Sequence, residues 1–550
     1  MDNHRKQSLL FWCMFLLTVF LYMVNFSVND IWTENESFYA DAVREMTESG
    51  NYIDIKFNGE PRFNKPPLTY WLIVLSSRIF GLNEFGIRLP FVILSFGTIL
   101  LVWSMARMLY GEKTAMIAFA MQAVSIQYIS LKAYASPETP LAFFFTLTLF
   151  FFLKARLSGK TVFYYLSAVA LGLTVLTKGY PYIIVICGII IFYLLMESDF
   201  KLKSFFVELK KVKPMQFVAI ALLLGCTWIF VMIVKYGNAY LHVLNMETLH
   251  RAASPEEHYH IGDLFFYPYV ILWGFYPYSL IFAFALYNHL FVKRTVKDIT
   301  FAFSWFLVML VIFTVAKGKI PTYFIQANPA LVLIAASFAA GYKPEGKVPS
   351  FLWGTAFVVP VITGLALCIG VITVFQLPAI YFTIPLAALI LLVSAMVPAD
   401  SEYKRTVRQL SPFIATSTVL LVFSTGILPL LEKWRPVDAI GRVINQECKI
   451  SKTIPLYLQG QRIHNLSFYA ARKVIINVEP NDVFKMNRPY IALVDSETIP
   501  DSLKMFVCWK GYIYSKQSSE SRFMIFLRSY LDAEKGDMSG FKNYSLIYRR

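Results

Sequence analysis

Charge is scarce in this sequence. Asp, Glu, Lys and Arg make up 16% of its 550 residues, against about 25% in an ordinary soluble chain. That deficit excludes a water-soluble exterior over most of the surface, the more so with 57% hydrophobic residues and a mean hydropathy of +0.54. Acidic residues are the scarcer sign, 35 against 51 basic. The resulting net charge of +16 does not indicate nucleic acid. No basic stretch outside the apolar runs is interleaved with stacking aromatics. Cysteine is sparse, with six in all. Cys13, Cys187, Cys226 and Cys368 lie in apolar runs and read as small hydrophobes. Cys448 and Cys508 lie in a polar C-terminal segment, as either a disulfide in an oxidising compartment or two buried thiols. Walker, dinucleotide-binding and zinc-finger motifs are absent, as are internal repeats.

What the chain has is apolar runs long enough to cross a bilayer. Thirteen are expected, at 8–26, 88–108, 114–131, 138–154, 162–177, 180–196, 215–235, 264–288, 299–316, 322–341, 351–375, 379–397 and 412–431. The first follows Arg5 and Lys6; it is longer than a signal core and precedes no small-x-small cleavage site, so it reads as a retained anchor. With the N-terminus inside, the basic clusters Lys154/Arg156/Lys160, Lys201/Lys203/Lys210/Lys211/Lys213, Lys293/Arg294/Lys297 and Lys404/Arg405/Arg408 all fall in cytoplasmic loops. An odd number of spans then places 432–550 outside. The expected organisation is a transmembrane domain, 1–431, and a small α/β periplasmic domain, 432–550.

Two outer segments are large. In the first, 27–87, Tyr39, Val43 and Met46 recur at helical spacing and Gly50 is a stop, which predicts a surface helix. The stretch 67–80 predicts a second, too short for a full crossing. In the C-terminal segment, strand-type runs recur at 454–458, 473–478, 490–494, 506–514 and 522–527.

Polar residues that carry chemistry cluster at the outer ends of the spans. Glu34 and Glu36 flank Asn35 where the first surface helix begins, and a carboxylate there suits a general base for an acceptor hydroxyl. The structural alternative for Glu36 is a capping box with Thr33. Glu138, after Ser136 and Pro137, opens the fourth span, as a base or as helix-end chemistry. Lys65, Lys178, Lys317 and Lys319 lie on the outer face against the general charge bias. A cation at the bilayer boundary suits a phosphate whose lipid tail is in the membrane; the alternative is snorkelling to headgroups. His242, His250, His258 and His260 share one outer loop with Arg251. His258, His260 and a carboxylate such as Glu257 make a weak metal signal.

The ordered set of motifs resembles a known family. Asn35-Glu36-Ser37-Phe38-Tyr39-Ala40 is similar to Asp-Glu-x-x-Tyr-Ala, and Arg44-Glu45-Met46 follows it. Then come Asn58-Gly59, Phe63-Asn64-Lys65-Pro66-Pro67-Leu68, Tyr70-Trp71, Phe80-Gly81, Arg88-Leu89-Pro90, Lys178-Gly179, His260, Gly274-x-x-Pro277 and Lys319-Ile320-Pro321-x-Tyr323. Over about residues 10–345 the chain resembles the bacterial aminoarabinose transferases that modify lipid A, and the related protein O-mannosyltransferases, both polytopic GT-C glycosyltransferases. The resemblance implies an inverting transfer from a polyprenyl-phosphate sugar to a periplasmic glycolipid or protein acceptor, with the key acid in the first outer loop. It implies a donor-phosphate set of Lys65, Lys178, Lys319, Tyr323 and Arg251, with His260 assisting. The chain departs from the pattern in three places. Asn35 stands where the family has aspartate, which moves the base to Glu34 or Glu36. Asn64 stands where some members have a metal-binding glutamate, so a divalent metal would rest on His260. Glu138 replaces the aspartate opening the fourth span. The rival readings are a flippase for lipid-linked sugars, disfavoured because no repeated halves are visible, and a scaffold that binds the lipid without turnover.

Overall fold

The computed structural model describes residues 3–250, 263–292, 295–343, 347–396, 401–514 and 523–549. It forms two compact units: one of Met1–Val24, Phe63–Thr69 and Phe91–Phe423, the other of Asn25–Arg62, Tyr70–Pro90 and Ser424–Arg550.

The first unit is helical. Six helical stretches among the described residues are long and apolar enough to cross a membrane: Glu84–Tyr110, Glu138–Ser158, Val296–Val315, Pro321–Gly341, Pro349–Val374 and Arg405–Ile427. Pro214–Gly225 and Thr227–Tyr236 make a seventh if their 49° bend is one broken span. Ser8–Met23, Val162–Lys178 and Pro181–Glu197 are apolar but shorter. Phe351, Val358, Ile362 and Ile369 on Lys347–Val374 are exposed along one face, as a lipid-facing stripe would be.

Two expected spans are interrupted. The run 114–131 divides into Glu112–Val124 and Ile126–Ile129 at Ser125, whose backbone leaves helical geometry (φ −55°, ψ 121°). The run 264–288 divides into Phe266–Gly274 and Ser279–Tyr287, on either side of Pro277, which has no N–H to donate and disfavours a continuous helix. The interruptions satisfy each other. Ser125 Oγ donates to the Gly274 carbonyl (3.0 Å), Ile126 N–H donates to the Tyr276 carbonyl (3.1 Å), and Asn328 Nδ2 donates to Ser125 Oγ (2.7 Å). Freed backbone in an apolar interior survives where protein groups pair it again. The packing at this junction is tight: a Cβ at Gly274 would meet the Gln127 side chain at 3.1 Å, so that side chain would have to give.

The second unit combines the first surface helix with a mixed sheet. Thr33 caps Glu34–Ser49, its side chain accepting from Glu36 N–H (3.1 Å), and Gly50 ends the helix at φ 70°, a left-handed conformation that glycine adopts without strain. A small hairpin, β1 (Lys56–Phe57) with β2 (Glu60–Pro61), follows. The sheet contains β3 (Leu456–Leu458), β4 (Val474–Ile475), β5 (Tyr490–Asp495), β6 (Val507–Tyr514) and β7 (Phe541–Arg549), in the order β4-β3-β5-β7-β6. The pairs β4-β3 and β3-β5 are parallel; β5-β7 and β7-β6 are antiparallel. Side chains alternate between two cores: Leu456, Leu458, Ile491, Leu493 and Leu546 in one, Tyr457, Tyr490, Ala492, Val494 and Ile547 in the other. Cys448 and Cys508 are free thiols packed against the first of these.

One expected strand is wrong. The run 522–527 enters a helix, Phe523–Glu534. Phe526, Tyr530 and Ala533 are its buried residues, at the i, i+4, i+7 spacing of a helix face. The strand that sequence pattern missed is β7, which pairs on both sides. Lys542, Asn543 and Ser545 interrupt its apolar residues.

Candidate functional site

In the first unit, Lys65 precedes Pro66-Pro67, which holds its backbone extended. Phe63 anchors the segment against Tyr236 and Tyr240, at centroid distances of 4.8 and 5.8 Å. The Lys65 ammonium pairs with Glu247 and also donates to the Asn64 carbonyl (3.1 Å). Asn64 Nδ2 donates to the other Glu247 oxygen (2.7 Å). Glu247 lies in the π-turn Met246–His250, beyond the helix Asn238–Asn245.

The same unit holds a second pair. Lys178 is the last residue of Val162–Lys178, rather than a loop residue. Its Nζ donates to Glu138 Oε1 (2.9 Å) and lies 5.1 Å from the Tyr323 ring centroid. Glu138 opens its helix on the positive end of the dipole; Pro137 is the N-cap and no side chain caps the helix. The helix-end chemistry expected from Ser136 is therefore not made, and the acid is used by Lys178. Tyr180, two residues on, donates its hydroxyl to Thr248 Oγ1 (3.1 Å), next to Glu247. The Tyr180–Thr248 hydrogen bond thus links the segment that carries Glu247 to the segment that carries Lys178. Lys319 is buried, and its ammonium donates to the Ala316 carbonyl (2.9 Å), within its own loop. Arg251 and His260, with His258 and Glu257, lie outside the described residues. Among the described residues no three His, Cys, Asp or Glu gather to hold a metal ion.

In the second unit the two first-loop acids differ sharply. Glu36 is buried and takes two bonds from Arg88, Nε to Oε1 at 3.0 Å and Nη2 to Oε2 at 3.2 Å. Arg88 also donates to the carbonyls of Asn29 (2.5 Å) and Asp30 (2.7 Å). Thr33 and Glu36 make only half of a capping box, because the carboxylate is spent on arginine. The Glu34 side chain is 44% exposed, with His464 Nδ1 3.8 Å from its Oε1. Burial holds the His464 imidazole below its usual value; Glu34 opposes that shift and Arg462 adds to it. Asp30 is a buried acid near this helix. Burial, reinforced by the carboxylates of Glu432 and Asp438, pushes its carboxyl up to about 8.

Sequence reasoning missed Glu247 and His464. Glu247 stands three residues before His250 in the histidine-bearing loop, and that neighbourhood was the signal to weigh. His464 lies more than 400 residues from Glu34 in the chain, and no local pattern connects them.

The family described as dolichyl-phosphate-mannose-protein mannosyltransferase matches residues 64–241. An uncharacterized protein of Aquifex aeolicus is 32% identical over 521 residues, 92% of this chain and 94% of that one. An undecaprenyl phosphate-alpha-4-amino-4-deoxy-L-arabinose arabinosyl transferase of Pseudomonas savastanoi pv. phaseolicola is 26% identical over 342 residues, 60% of this chain. That match spans 62% of the transferase's own length. Among solved structures, ArnT of Cupriavidus metallidurans bound to undecaprenyl phosphate shares the fold, with a TM-score of 0.71 at 20% identity, over 88% of this chain and 93% of that one. The chain is thus similar to GT-C glycosyltransferases over residues 64–241 and has the fold of ArnT.

Proposed function

We propose that this protein transfers a sugar from undecaprenyl phosphate, or a similar polyprenyl phosphate, to an acceptor at the periplasmic face of the bacterial inner membrane. The observation that carries the reading is the presence of two largely buried lysines, Lys65 and Lys178, each held by a carboxylate on segments that the Tyr180–Thr248 hydrogen bond links. The acceptor oxygen forms a bond to the anomeric carbon from the face opposite the phosphate. The carbon–phosphate-oxygen bond breaks, and the phosphate leaves with the electron pair. Lys65 and Lys178 stabilise the charge that develops on it, assisted by Tyr323 and Lys319. Glu34 takes the acceptor's proton. Glycolipid and protein acceptors both fit this chemistry.

The test uses purified full-length protein with polyprenyl-phosphate sugars and candidate acceptors, scored for release of free polyprenyl phosphate, which transport alone does not produce. Lys65→Ala raises the donor KM by roughly ten- to hundredfold, the scale of a lost charged hydrogen bond. The double variant Lys178→Ala/Glu138→Gln does the same without leaving a buried carboxylate unpaired. A wild-type donor response in both folded variants removes the lysines from the site.

The orientation is part of the proposal, supported by the basic clusters on one side of the spans. A reporter fused after Arg550 is expected to be active only if it works in the periplasm. Activity of a cytoplasm-only reporter there overturns the topology.

A further inference from the structure

The lysines proposed to hold the donor phosphate are already paired with anions. Their two carboxylates are placed differently. Glu138 is fixed at the start of a membrane-length helix, and its pair with Lys178 is the more buried, with side chains 12% and 10% exposed. Glu247 lies in a five-residue π-turn, and its pair with Lys65 is the more open, at 17% and 18%. A phosphate approaching Lys65 meets an ammonium that Glu247 already holds. It must displace the carboxylate to gain the charge. Asn64 Nδ2 holds the second Glu247 oxygen (2.7 Å), so the displaced group has a neutral anchor that keeps it close.

Resting on the transfer reading above, we propose that Glu247 is a displaceable counter-ion of the donor site, releasing Lys65 to the lipid phosphodiester and reclaiming it to expel the lipid monophosphate after transfer. The charge balance gives the direction. The donor is a phosphodiester with one negative charge. The product is a monoester with about −1.5 to −2 at neutral pH. Lysines alone would bind the product more tightly than the donor and stall the enzyme. A carboxylate held beside them repels the product more than the donor, and it competes for Lys65 in both states. No covalent step involves Glu247; its bond to Lys65 opens and closes once per turnover.

The test measures binding of undecaprenyl phosphate itself to the full-length protein in detergent, for wild type, Glu247→Gln, Lys65→Ala and the double variant. The Glu247→Gln side chain keeps its shape and can still hydrogen-bond to Asn64 and Lys65, so folding is preserved; thermal unfolding verifies this. Glu247→Gln is expected to tighten undecaprenyl phosphate binding by about tenfold, the scale of removing one nearby like charge. Product inhibition should strengthen by the same factor. Lys65→Ala should weaken binding, and Lys65→Ala/Glu247→Gln should lie closer to Lys65→Ala than independent effects predict. If Lys65→Ala weakens binding and Glu247→Gln weakens it or leaves it unchanged, Glu247 only positions the lysine; the counter-ion role is overturned and the donor site stands. If neither Lys65→Ala nor the Lys178→Ala/Glu138→Gln variant alters binding, the donor site itself fails and the counter-ion falls with it.

Discussion

Glu34→Gln is expected to lower turnover by roughly a hundredfold or more at saturating donor, the scale of a lost general base. The reason is availability. Glu36 is committed to Arg88 and Glu138 to Lys178, each at 2.9–3.2 Å. Glu34 is 44% exposed, and its neighbour at 3.8 Å is a histidine whose proton affinity burial lowers. That imidazole is a weak counter-ion, and the carboxylate faces solvent. Asn35 next to it has no acid to offer. Donor binding should change little in Glu34→Gln, because the base acts on the acceptor. Asn35→Asp should be tolerated and is expected to sustain or raise activity. The measurement is turnover of Glu34→Gln and Glu138→Gln beside an undecaprenyl phosphate binding assay. Near-normal turnover in the first with a large loss in the second moves the base to Glu138. Normal turnover in both removes these carboxylates from proton transfer.

The sequence made the class of protein legible because its signals are local. Apolar length, loop charge and the Thr33 and Gly50 helix ends depend on residues close together in the chain, and the structure has helix at each expected span. The misses depend on distant partners. Ser125 breaks a helix because Gly274, Tyr276 and Asn328 supply hydrogen bonds from far along the chain. Strand β7 exists because β5 and β6 flank it on both sides, though Lys542, Asn543 and Ser545 blur its own pattern. The same limit governs the site. Motif spacing singled out Lys65 and Lys178, but only the fold pairs each with an acid, and Glu247 comes from 182 residues away.

Glu36 shows what that pairing does to a residue that motif reasoning places at the chemistry. Its carboxylate and the Arg88 guanidinium form a two-bond fork, with side chains 5% and 7% exposed. Two further Arg88 bonds reach the Asn29 and Asp30 carbonyls, just before the helix that Thr33 caps. The pair fixes the entry to the helix carrying Glu34. Truncating one partner of such a buried pair strands the other charge, at a cost of about 3–5 kcal/mol. Glu36→Ala is therefore expected to lower the melting temperature by roughly 10 °C, taking a few degrees per kcal/mol for a unit of this size. Glu36→Gln should lose less, because its amide oxygen still accepts one bond from Arg88. The apolar double variant Glu36→Leu/Arg88→Met should recover much of the loss, since it leaves no charge buried alone. Thermal unfolding of the full-length protein in detergent, with turnover normalised to the folded fraction, separates the two roles for Glu36. A structural acid gives a large fall in melting temperature and near-normal turnover per folded molecule in Glu36→Gln. A wild-type melting temperature with a hundredfold loss of turnover would make Glu36 the base after all and return Glu34 to the surface.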